Sequence, residues 1–223
     1  MKKSSLLYVL IFSVLFALFG CSCNKDETIS KDEAIEVLKE SLVKGSVKIT
    51  TTTETLINNI KSTSTQKDIY YQNKYYHLSE NNGISTKTWY GEVNDVLYAF
   101  YYTKNTNNEE TKTSSRIEQA QLDSVKNQPN SLINTLFDEN DNLLENYEIT
   151  GSKSNRTYTI QIINNSETEN NAYTITITDG KIIKIIHTSN IASNAITTTY
   201  DYNYDVENIE LPSLSEYPLN VNG

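Results

Sequence analysis

Residues 172–188, "AYTITITDGKIIKIIHT", place two runs of alternating apolar and polar residues on either side of an Asp-Gly pair. Alternation with a period of two marks a half-buried strand, because successive side chains point to opposite faces. Asp179-Gly180 suits the positive φ angles of a two-residue hairpin turn. The pairing that follows sets Ile177 opposite Ile182 and Tyr173 opposite Ile186, two cross-strand pairs on one face. A lone hairpin is marginal in water, so the flanking sequence is expected to extend it into a sheet.

The flanks do so on both sides. Upstream, residues 147–151 and 156–163 alternate in the same way; downstream, residues 195–206 place Ile196, Thr198, Tyr200, Tyr202, Tyr204 and Val206 on one face. A second meander precedes these strands, at residues 46–56, 67–71, 74–79, 84–90 and 96–103. Its turns are polar: Gln72-Asn73, Asn81-Asn82-Gly83 and Asn94-Asp95. The strand at 96–103, "VLYAFYYT", is apolar on both faces and calls for cover on both. Residues 104–113, "KNTNNEETKT", hold no apolar side chain and predict an exposed loop.

Helical spacing occurs in three places. Ser30 followed by Glu33 predicts a capping box; Ile35, Leu38 and Leu42 then form an apolar stripe, and Gly45 is placed to end a helix over 30–44. Residues 116–126 carry Ile117, Ala120 and Val125 in helical register, with Pro129 as terminator. Residues 130–144 continue with Leu132, Ile133, Leu136 and Phe137. Two strand meanders separated by two short helices, after a helical start, define an α+β chain.

Both cysteines of the chain, Cys21 and Cys23, sit just after its one long apolar run. Lys2 and Lys3 precede that run, residues 6–19, whose 14 residues fall within the roughly 7 to 15 of an export signal. A bilayer span needs about 20. Leu18-Phe19-Gly20-Cys21 resembles a bacterial lipobox, with Phe19 where that pattern favours a small residue. The resemblance implies a diacylglyceryl thioether on Cys21, whose sulfur is the nucleophile. Ordinary cleavage after Ser22 and an uncleaved anchor are the alternatives. The expected organisation is a lipoprotein signal peptide at 1–20, a lipidated tether at 21–29 and a single domain at 30–223.

Loss of Lys2 and Lys3 takes the net charge from −9 to −11. So acidic a chain is unsuited to nucleic acid, whose affinity comes from lysine and arginine on phosphates, and to electrostatic adhesion on anionic lipid. Attachment to a membrane would be covalent, through the N-terminal anchor. The body of the chain has no cysteine, so the fold rests on packing. Its 16 tyrosines suit a pleated surface.

No catalytic or cofactor motif is present. Neither His77 nor His187 has a Cys, Asp or Glu partner at metal-ligand spacing, and both read as strand-face residues. There is no G-x-S-x-G, H-E-x-x-H or phosphate-cradling loop. The run from Asp138 to Asn142 offers alternating oxygen ligands, but Leu143 replaces the turn glycine of a calcium loop and Ile149 its closing glutamate.

The order helix, meander, two helices, second meander, with the tail "VENIELP" at 206–212, resembles the LolA and LppX type of lipoprotein carrier. The resemblance covers nearly all of the chain after the signal. It implies an unclosed, strongly curved antiparallel half-barrel of about ten strands around the helices, with an apolar cavity for acyl chains. Candidate cavity residues are Trp89, Tyr98, Phe100, Tyr102, Tyr200 and Tyr202; the alternative is that these aromatics pack a core. The function so implied is a membrane-anchored lipoprotein on the extracytoplasmic face of the cell membrane, not an enzyme, binding a lipid or other apolar ligand. The competing expectation is a protein-interaction or envelope-sensing module with a packed interior, its protein partner unspecified.

Overall fold

The computed structural model describes residues 26–58, 60–140, 142–164, 170–191 and 194–220. The export signal expected at 1–20, both cysteines and the lipidation expected at Cys21 lie outside these residues. Within them the N-terminal meander comprises β2 (Val47–Ile57), β3 (Ile60–Tyr71), β4 (Lys74–Asn81), β5 (Ile84–Val93), β6 (Val96–Lys104) and β7 (Glu110–Arg116). The C-terminal meander comprises β8 (Tyr147–Ser154), β9 (Thr157–Asn164), β10 (Asn170–Thr178), β11 (Lys181–Ile191) and β12 (Asn194–Asn203). A short β1 (Glu27–Ile29) pairs with β8.

All belong to one antiparallel sheet of 12 strands in the order β1-β8-β9-β10-β11-β12-β2-β3-β4-β5-β6-β7. The two meanders join where β12 pairs with β2, Tyr202 opposite Ile49 and Tyr200 opposite Thr51. The sheet is curved and unclosed, the half-barrel expected from the sequence. It has two strands more than expected, β1 and β7. β1 lies in the stretch read as tether, and β7 takes in residues 110–113 of the predicted loop 104–113. The loop itself is confined to residues 105–109, where the Asn105 side-chain oxygen accepts the N–H groups of Asn107 and Glu109 at 2.9 and 3.0 Å. β7, "ETKTSSR", is an edge strand, so it has no apolar alternation for a sequence to reveal.

The helices are shorter than the spacing predicts. α1 (Lys31–Glu40) opens as expected, with the Glu33 N–H donating to Ser30 Oγ at 3.1 Å. It ends four residues early. The Ser41 hydroxyl donates to the Leu38 carbonyl at 2.8 Å, and the Asn130 side chain brackets Val43, accepting its N–H at 2.8 Å and donating to its carbonyl at 3.1 Å. α2 (Gln119–Lys126) starts after β7 has ended, and α3 (Gln128–Asn134) carries Pro129 in its first turn, where the missing N–H is harmless. The expected continuation of α3 to 144 fails because Asp138 Oδ1 takes the N–H groups of Asn140 and Asn142, at 2.9 and 2.8 Å. That carboxylate closes a turn in place of a helix.

The main core lies between the inner face of the sheet and the helices. Ala34 and Leu38 of α1, Ile133 of α3 and Leu136 are fully covered by Ile160, Ile175, Ile177, Ile182 and Ile185. Ile177 does lie opposite Ile182. The register then shifts between Thr176 and Ile177, so Tyr173 faces His187 and not Ile186. This bulge is the reason Ile182 and Ile185, three residues apart, are both buried on the same side.

Candidate functional site

Alternation within the strands and register between them sort the aromatic residues onto two faces. Tyr202 and Tyr200 share the row Ile49/Asp68/His77 and Thr51/Gln66, which looks inward. Phe100, Trp89, Tyr76 and Ile69 are cross-strand partners in the adjacent row, which looks outward. Of the six expected cavity residues, only Tyr200 and Tyr202 therefore border the space on the helix side. Trp89, Tyr98, Phe100 and Tyr102 lie behind the sheet.

What covers them there is the C-terminal segment, residues 204–220. Lys74 Nζ fixes it at its start through Asn208 Oδ1 and the Ile209 carbonyl, at 3.0 and 2.9 Å. At its end Ser114 of β7 donates its N–H to the Pro218 carbonyl and accepts the Asn220 N–H, at 3.0 and 2.9 Å. Between these points Tyr217 inserts edge-on against Trp89 and Phe100, with ring centroids 5.8 and 5.9 Å apart. The approach is close enough that a Cβ on Gly91 would stand 2.6 Å from Leu211 Cδ1. Tyr98, Phe100 and Tyr217 make a second, small core. This is how the doubly apolar β6 is covered on its outer face. A groove of about 540 Å³ remains beside it, between this C-terminal segment, which acts as a strap, and Lys48, Lys67, Tyr76 and Trp89.

The inner face holds a larger open-sided cavity of about 570 Å³, between the sheet and α3. Its apolar wall is Ile49, Tyr70, Leu132, Tyr200 and Tyr202; its polar wall is Thr51, Thr53, Thr198, Gln66, Gln128 and Asp68. The tyrosine hydroxyls are directed by the helix: Tyr202 donates to the Pro129 carbonyl at 3.4 Å and Tyr70 to Gln128 Oε1 at 3.5 Å. Thr53 and Thr198 meet across the β2–β12 pair at 3.3 Å. Asp68 Oδ1 accepts from Tyr75 Oη at 2.7 Å and from His77 Nδ1 at 2.8 Å. Because a carboxylate oxygen here is the acceptor, Nδ1 carries the proton.

Burial, and after it the charge of Asp68, push the Tyr70 and Tyr75 phenols far above their usual range. Burial does the same to Tyr202, and raises Tyr204 to about 12. These phenols are neutral donors over the whole physiological range. Asp68, Thr51, Thr53 and Gln128 were not among the residues the sequence singled out, and Thr198 and Leu132 were named for their strand and helix, not as cavity residues. A signal was present: inward positions of β2 run Val47, Ile49, Thr51, Thr53, changing from apolar to hydroxyl where the helix cover ends.

Among the described residues no group of three or more His, Cys, Asp or Glu is placed to hold a metal ion, and no helix is long and apolar enough to cross a membrane. The two histidines sit on strand faces as expected, His187 stacked on Tyr173 with ring centroids 4.4 Å apart.

No protein family is matched by the chain, and no curated protein is similar to it. Solved structures similar to it include a LolA superfamily protein from Nitrosomonas europaea, at 9% identity, covering 82% of this chain and 96% of that one with a TM-score of 0.27. A DUF1329 family protein from Desulfovibrio piger is similar at 9% identity, with 80% and 94% covered and a TM-score of 0.32.

Proposed function

We propose that this chain is an exported lipoprotein, anchored through Cys21 to the extracytoplasmic face of the cell membrane, whose half-barrel binds a lipid or a similar amphipathic molecule without transforming it. The observation that supports binding is the inner cavity of about 570 Å³ left between the sheet and α3. It is within the roughly 300–1,000 Å³ of small-molecule sites. Its apolar wall suits an acyl chain and its band of hydroxyls and amides a polar head. The lipobox-like run before Cys21 supports the anchor.

Titration of delipidated protein with micelle-free lysophospholipids and fatty acids is the test. A ligand in the inner cavity raises the melting temperature saturably, by mass action, while Trp89 fluorescence stays unchanged, since the indole lies behind the sheet. Cys21→Ser should leave that binding intact and release the protein from the membrane fraction. A melting temperature unmoved by every lipid class would favour the interaction module instead. One feature fits that second reading: the β2–β3 tip, where Leu56, Ile57 and Ile60 are 41%, 46% and 72% exposed. A change in Trp89 emission would place the ligand in the outer groove beneath the strap.

A further inference from the structure

The charge of the inner cavity is one-sided. Among the described residues that line it, Asp68 is the one ionisable carboxylate, and no lysine or arginine stands with it. Asp68 is largely covered, with its side chain 16% exposed. Both protein hydrogen bonds to it, from Tyr75 and His77, end on Oδ1. Oδ2 is left as an acceptor that no described residue fills. Its charge reaches the cavity wall, since it is the second cause of the upward shift of the Tyr70 phenol.

The other polar groups do not discriminate by charge. Thr51, Thr53 and Thr198 hydroxyls and the Gln66 and Gln128 amides each donate or accept, and would serve a carboxylate or an alcohol equally. A second anion, brought within a few Å of Asp68 out of bulk water, meets repulsion that the low local dielectric amplifies and loses its own hydration. A hydroxyl loses little and can donate to Oδ2, a charge-assisted bond.

Resting on the lipid-binding reading above, we propose that the inner cavity selects amphipaths with an uncharged, hydroxyl-bearing head over anionic ones of the same chain length, with Asp68 as the residue that sets the preference. Acylglycerols and glycolipids both present that head.

The experiment is calorimetric titration of the full chain with laurate, 1-monolaurin and dodecyl glucoside, each below its micelle concentration, at about pH 8, where the laurate carboxyl is ionised. Monolaurin or the glucoside is expected to bind at least about tenfold tighter than laurate, and the two neutral arms separate an acylglycerol site from a glycolipid site. Asp68→Asn keeps an oxygen for Tyr75 and His77 to donate to; it is expected to close the gap by strengthening laurate. Thr53→Lys, on the neighbouring strand of the same sheet face, brings a cation to the cavity and should invert the preference even if the first variant folds poorly. Laurate binding as tightly as monolaurin, or a ratio that neither variant moves, overturns the selectivity while leaving lipid binding in place. Failure of all three amphipaths to bind overturns both.

Discussion

His187 has a ring nitrogen without a hydrogen-bond partner among the described residues. Its imidazole is stacked flat on Tyr173, 7° from parallel, and Nε2 is buried with no hydrogen-bond partner among the described residues. Burial lowers its pKa below the ordinary imidazole value. A depressed folded-state pKa stabilises the fold above the unfolded value of about 6.5, and the contribution is lost as pH falls through the lowered folded value. His187→Phe keeps a ring on Tyr173 and removes the titration. Its melting temperature is expected to fall less than that of the unmodified chain between about pH 7.5 and 5. Calorimetric melts across that range check this, and parallel curves for the two proteins would refute it. Nothing local to "IIHTS" announces this environment, which is made by a residue 14 positions away brought opposite by the bulge.

Among the elements, the β10–β11 hairpin is the one the sequence describes most fully. Alternation and Asp179-Gly180 predict its limits, and Ile177 meets Ile182 as expected. Ile177 is completely buried, whereas Thr176 faces the outer side opposite Lys184. Ile177→Lys is expected to destabilise by about 3 kcal/mol or more, the effect of an unpaired buried charge. Thr176→Lys should stay within about 1 kcal/mol. Urea unfolding of both variants measures the difference, and equal losses would contradict the register. The same alternation misplaced Tyr173 because a bulge adds a residue without altering the pattern on either side of it. The helices were overextended for a related reason. Apolar spacing at Leu42, Phe137 and Leu143 reflects burial against the sheet, but Asn130 and Asp138 claim the backbone groups that a longer helix would have used.

For the molecule as a whole, the tyrosines tie stability to pH at the alkaline end. Tyr70, Tyr75 and Tyr202 have phenols raised well beyond their ordinary range, chiefly by burial, and Tyr90 and Tyr204 are raised to about 12. A raised folded-state pKa stabilises below the unfolded value of about 10, and that stabilisation disappears as pH climbs through the folded value. The chain should therefore lose stability steeply above about pH 10, several protons being released on unfolding. Tyrosinate absorbance should rise in two stages, exposed phenols first and these five together with unfolding. Smooth titration of all 16 tyrosines as independent groups would be inconsistent with this packing. The amino-acid order was sufficient for the two meanders, the hairpin turns at 72–73, 81–83, 94–95 and 179–180 and the interposed helices, though not for the start of β3 at Ile60, because periodicity and turn chemistry are local properties of neighbouring residues. It could not tell which face of each strand looks inward. That required β12 to pair with β2 and the C-terminal segment to cross behind the sheet, contacts between residues more than a hundred positions apart. Those long-range pairings put Trp89 and Phe100 beneath the strap, left Tyr200 and Tyr202 beside the cavity, and brought in Asp68, because a strand's alternation specifies two faces and tertiary packing specifies what each one meets.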